Sequence, residues 1–260
     1  MAFAQTAARR PIYGAVATLG VSDRVAFLRK TYGLLGVALV GFATLTGGLM
    51  VYGTRFSWAF SRWALSGYTW LLVLGLFMVV GMVAQKLAQS DTSRGLQYLG
   101  LGLAVAAEAV LLQPMLWILM LRFGNPAEMM SGSHMHVALS GQAASILLQA
   151  VVITLAIFVG LTTVVFVTKK DFSFMRGVLS ICMFGILGVI LASFLFGFSL
   201  GAVFSGFVIL VMAGYILYQT SLVMSTFPPT ADVAAALMLF STIATLFWYV
   251  LRILMELNRR

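Results

Sequence analysis

Charge is what this sequence lacks most: of 260 residues, 9% are Asp, Glu, Lys or Arg, against 62% hydrophobic. A soluble domain carries roughly 25% charged residues. A chain with so few cannot clothe a water-facing surface, and must present apolar surface to lipid instead. The same shortage excludes disorder, which requires a polar, charged composition. Acids are rarer than bases, with 7 Asp and Glu against 16 Lys and Arg, a net charge of +9. The basic residues do not gather among aromatics as a nucleic-acid surface requires. They flank apolar runs, at Arg29-Lys30, Lys169-Lys170 and Arg259-Arg260. That placement suits phospholipid headgroups and topology control, and the partner it implies is the bilayer, not nucleic acid.

Cysteine is nearly absent as well. The one present, Cys182, lies inside an apolar run. It makes neither an intrachain disulfide nor a metal cluster, and reads as a small buried hydrophobe. No Walker loop, G-x-S-x-G, H-E-x-x-H or dinucleotide fingerprint occurs, so nothing points to an enzyme, a catalytic residue or a cofactor. His134 and His136 flank Met135, but a lone H-x-H lacks the further ligands a metal site needs. Residues 1–30 lack the apolar core of a cleavable signal. They read as a basic cytoplasmic tail before a single transmembrane domain, residues 31–260.

What is present is a series of long apolar runs. A helix needs about 20 apolar residues to cross the hydrocarbon core. Seven runs qualify: Tyr32–Tyr52, Gly67–Gln85, Gly95–Leu121, Leu139–Thr168, Gly177–Phe196, Gly201–Met224 and Val233–Met255. The expected fold is an all-α integral membrane protein of seven transmembrane helices. The breaks are short and polar, the longest being Arg122–His136. Only Gly197–Leu200 parts runs five and six, which predicts a tight hairpin. Pro228-Pro229 ends run six, and Thr230 is placed to cap run seven. With the N-terminus inside, the inner segments collect more Lys and Arg than the outer ones, although the basic C-terminus then lies outside. Trp58, Trp63, Trp70 and Trp117 fall near the outer junctions, where amphipathic rings anchor in the interface.

A few polar residues interrupt the runs. Glu108 sits midway along run three, where an acid costs roughly 2.5–3.5 kcal/mol on insertion scales. It must face the bundle interior, be protonated or touch water. Gln113-Pro114 follows, and proline there predicts a kink. Gln142 and Gln149 share a face of run four. These, with Gln219, Thr242 and Thr245, read as interhelical hydrogen-bonding groups.

Four segments carry a resemblance. They are RVAFLRKTYGLLGVALVGFATLTGG at 24–48, LTTVVFVTKKDFSFMRGVL at 161–179, AGYILYQTSLVM at 213–224 and AALMLFSTIATLFWYVLRIL at 235–254. Together with Glu108 and Pro114 in span three, the chain resembles the Bax inhibitor-1 family in its bacterial YccA-like branch. The resemblance covers roughly residues 22–256. It implies a seven-helix bundle with one central helix, in the bacterial cytoplasmic (inner) membrane. It also implies cation (calcium) leak, stress protection and modulation of a membrane-bound protease or other membrane complex.

In that family two aspartates on spans six and seven form a pH-sensitive latch. Here Y-D-T reads Tyr218-Gln219-Thr220, and L-D-I-L-N reads Ser241-Thr242-Ile243-Ala244-Thr245. Two close carboxylates share a proton and grip a divalent cation; Gln219 and Thr242 do neither. An amide–hydroxyl bond between them would hold the same helices shut without titrating. Glu108 is then the remaining deep acid, with Lys86 at the inner end of span two as a distant basic partner. The expected role is a regulator of membrane protein quality control or stress. The alternative is a cation or proton leak through the bundle, weakened by loss of the aspartates.

Overall fold

The computed structural model describes residues 16, 20–90, 93–124 and 141–259. Among these residues there are eight helices and no strand. We number them α1 (Val21–Val51), α2 (Thr54–Ala64), α3 (Thr69–Ala88), α4 (Arg94–Phe123), α5 (Gly141–Thr168), α6 (Met175–Phe196), α7 (Ala202–Ser225) and α8 (Asp232–Leu257). All but α2 are long and apolar enough to cross a membrane, which gives the seven expected spans. Most of the basic tail, His134, His136 and most of the long polar loop lie outside the described residues.

Helix boundaries depart from the apolar runs where charge ends a run but not a helix. The first helix begins at Val21, eleven residues before the run at Tyr32, and carries Arg24, Arg29 and Lys30 in its opening turns. At 31 residues it is about 46 Å long, more than the roughly 30 Å hydrocarbon core, so its basic end projects toward headgroups. Ser93 caps α4, its side chain accepting from the Leu96 amide at 3.2 Å. Thr230 does not cap α8: Ala231 holds that position and makes no side-chain capping bond. Gly197, at φ 72°, closes α6 in the left-handed conformation that glycine adopts without strain. That cap lets the chain turn directly into α7.

The last helix is the central one. It packs against α1, α3, α4, α5 and α7, and 72% of its apolar window is buried against 11% for α6. Phe240 and Phe247 of α8 meet Phe42 of α1 edge-on, at 5.8 and 6.4 Å between centroids. The outer helices turn large apolar side chains outward, such as Phe184 and Leu195 on α6. Exposure of that kind is stable in lipid and not in water, so the chain is an integral membrane protein in contact with the bilayer.

Small residues set the closest helix contact. A Cβ on Gly100 of α4 would lie 2.5 Å from the Ala84 carbonyl oxygen and 2.6 Å from the Ala88 amide of α3. Backbones approach this closely only across small side chains. The pairing fixes α3 against α4 and positions everything that α4 carries inward.

The helix α2 has no counterpart among the apolar runs. It buries Ser57, Ser61 and Ala64, which share one face at i, i+4 and i+7. Arg55, Arg62 and Trp63 stay exposed. It is too short and too polar to span, and it lies on α1 and α4.

Candidate functional site

Three sets of interior polar contacts among the described residues rest on α4 or α8. The first is the joint between α7 and α8. Thr242 Oγ1 donates to Gln219 Oε1 at 2.8 Å, and both residues are 7% exposed. Thr242 lies ten residues beyond Asp232, about 15 Å along α8, which puts the bond near mid-membrane. It is uncharged and has no proton to lose near neutrality. Two other polar residues of the spans bond within their own helices. Thr245 donates to the Ser241 carbonyl of its own helix, and Gln149 to Ser145 one turn earlier.

The second set holds α1, α2 and α4 together. Ser57 Oγ donates to Gln113 Oε1 at 2.7 Å and accepts from Trp117 Nε1 at 2.8 Å. Gln113 Nε2 donates to the Ala109 carbonyl at 2.8 Å and reaches the Thr46 carbonyl of α1 at 3.4 Å. Ser57 and Gln113 are fully buried, so each bond avoids the cost of an unpaired polar group in a dry interior. Trp117 was expected to anchor at the interface. It is instead 2% exposed and packs on Trp58 at 4.7 Å. Its indole finds a protein partner rather than headgroups.

Asp232 and Arg94 form the third set. Asp232, the first residue of α8, is 3% exposed and forms an ion pair with Arg94, the first residue of α4. Arg94 also donates to Gln97 Oε1 at 3.1 Å, and Gln97 Nε2 reaches back to the Ser90 carbonyl at 2.8 Å. Sequence reading missed this pair, since its members lie 138 positions apart. The acid opening α8 was the signal available, because a buried carboxylate demands a partner.

Glu108 shares the buried face of α4 with Leu101, Ala104, Leu112 and Met115. It is itself half-buried, and has neither hydrogen bond nor ion pair among the described residues. Because Arg94 and Asp232 pair at their first residues, α4 and α8 start level. Glu108 then lies about 21 Å along α4, some 6 Å beyond the level of Thr242. The structure does not bring Lys86 to it. Ala84 and Ala88 face α4, and Lys86, two residues from each, projects to the exposed side of α3.

The turn between α5 and α6 is bound to α7. Lys169 takes a positive φ of 51°. Asp171 accepts from the Ser173 amide at 2.8 Å and its hydroxyl at 2.9 Å. Ser221 of α7 accepts from the Phe172 amide at 3.1 Å. The K-K-D-F-S-F segment thus docks two residues beyond Gln219 in sequence and ties the α5–α6 turn to the joint helix.

A family model described as inhibitor of apoptosis-promoting Bax1 matches residues 24–260. The chain is 31% identical over 244 residues to Bax inhibitor 1 of Schizosaccharomyces pombe, covering 92% of this chain and 79% of that protein. It is 26% identical over 250 residues to the Golgi anti-apoptotic protein of Vaccinia virus (strain Lister), covering 95% of this chain and 93% of that protein. To protein lifeguard 4 of Mus musculus it is 29% identical over 120 residues, covering 44% of this chain and 49% of that protein. No solved structure matches.

Proposed function

Since this chain belongs to the Bax inhibitor-1 family, we propose that it is a non-enzymatic regulator of membrane protein quality control or stress, working with its bundle held shut. The observation that supports this is the Thr242–Gln219 hydrogen bond, 2.8 Å long and neutral, at the positions matched to the family's aspartates. A carboxylate pair changes charge with pH and holds a divalent cation. An amide–hydroxyl pair does neither, so the joint stays closed across the physiological pH range. Regulation then runs through contact with another membrane complex, such as a membrane-bound protease. The anti-apoptotic names of the relatives fit a protective role of this kind. The basic N-terminal tail supplies an electrostatic contact for such a complex on the cytoplasmic side of the inner membrane.

A second reading, a cation or proton leak, draws on Glu108, an acid on an interior face without a partner among the described residues. Flux into liposomes separates the two. Wild type and Glu108→Gln are each reconstituted with a calcium or pH indicator inside, at acid and neutral pH. The regulator reading expects both at the level of empty liposomes. Wild-type flux that Glu108→Gln abolishes would establish the leak. For the regulator itself, removal of residues 1–22 should abolish cross-linking to a membrane-bound protease. Unchanged cross-linking excludes the tail as the contact.

A further inference from the structure

Where α1, α4 and α8 meet at the Arg94 end of the bundle, a groove of about 400 Å³ opens between them. Arg29 and Lys30 of α1 and Arg94 of α4 line it, together with Asp232 and Tyr98. Asp232 is engaged by Arg94. Arg29 and Lys30 have no acid partner among the described residues, so the lining carries an excess of two positive charges. Basic residues at span ends are ordinary topology signals. These differ in converging from two helices on one concavity.

The groove continues along an apolar track. Lys30, Gly33, Leu34 and Val37 share one face of α1, at i, i+3, i+4 and i+7. Val37 is 70% exposed, and Val40 beyond it 64%. Gly33 lines the groove floor, and a Cβ built there meets nothing within 4 Å. On α4, Gly102 lies one turn beyond Tyr98 and is open in the same way. A concavity with cations at its mouth and a smooth apolar wall leading toward mid-membrane matches one kind of ligand. We propose that this groove binds an anionic phospholipid. Its phosphate would sit among Arg29, Lys30 and the free guanidinium nitrogens of Arg94, with an acyl chain along Gly33 and Val37. Guanidinium groups recognise phosphate through paired N–H donors. Basic pockets between transmembrane helices are suited to anionic headgroups.

Native mass spectrometry of the full chain in detergent tests this, with phosphatidylglycerol, phosphatidylcholine and inorganic phosphate as separate probes. Phosphatidylglycerol should be retained over phosphatidylcholine, and Arg29→Gln/Lys30→Gln should weaken it by roughly 30-fold, the loss of two near-surface charges. Gly33→Leu narrows the floor without touching charge, at a position where an added Cβ meets nothing within 4 Å. It should weaken phosphatidylglycerol several-fold by blocking the acyl track. Equal retention of the two lipids by wild type overturns the proposal, as does wild-type retention of phosphatidylglycerol by both variants. Displacement of phosphatidylglycerol by millimolar inorganic phosphate, with Gly33→Leu silent, overturns the lipid in favour of a soluble phosphate.

Discussion

Two polar joints hold the central helix, and they differ in charge and in depth. At the first residue of α8, buried Asp232 pairs with Arg94, whose side chain keeps 47% of its surface exposed. About 15 Å further into the membrane, Thr242 bonds Gln219, and both are nearly buried. The contrast follows from solvation. A full charge is tolerated where one partner still reaches headgroups and water, because that partner keeps most of its hydration. Where neither partner does, each ion costs kilocalories, and a neutral pair gives a weaker bond without that cost.

Reversing the deep joint should have the largest effect. Gln219→Asp with Thr242→Asp places two carboxylates where each costs roughly 2.5–3.5 kcal/mol on insertion scales. They are tolerated only while protonated, so stability should fall as pH rises and recover on acidification. Thermal unfolding in detergent between pH 5 and 8 checks this, with the wild-type midpoint expected to vary far less. A double variant as insensitive to pH as wild type would mean that water already reaches this joint.

Breaking the shallow joint should cost less, and unequally. Arg94→Met strands the Asp232 carboxylate in a buried site. The loss should be about 1–2 kcal/mol after allowing for solvent screening on the arginine side. Asp232→Asn leaves Arg94 free to hydrate and should cost about half as much, by the same asymmetry between buried and exposed partners. Equal losses in the same unfolding assay would remove the distinction drawn between the two partners.

Neutral removal of the deep bond should matter least. Thr242→Val keeps the shape and deletes one hydroxyl, for about 0.6 kcal/mol, the average for interhelical side-chain bonds in membranes. A loss several times larger would show that the bond anchors a wider network.

Much of this was legible in the sequence because lipid imposes a blunt rule. Seven apolar runs became seven spans, while the facing of Gln219 and Thr242 came from the family resemblance and not from hydropathy. What escaped has physical reasons. Charge at Arg29 and Lys30 ended an apolar run, yet a helix needs no apolar residues once it leaves the core, so α1 runs back to Val21. The eleven residues of α2 are too few and too polar for a hydropathy signal. Small residues at Ser57, Ser61 and Ala64 were the only trace of its buried face. Asp232 drew no reading from the sequence, since nothing local reveals a partner on another helix. Lys86, named as a distant basic partner of Glu108, lies two residues from Ala84 and Ala88, about 200° around α3 from the face that meets α4.

Spacing between α7 and α8 as pH changes tests the neutral joint most directly. Spin labels at Val203→Cys and Leu257→Cys, in a Cys182→Ser background, report the end of the α7–α8 pair remote from its connecting turn. Both sites are exposed, at 89% and 55%. In lipid discs, the distance distribution should be the same at pH 5.5 and pH 8, with or without calcium. A second, longer distance that appears on changing pH or adding calcium would contradict a joint that does not titrate.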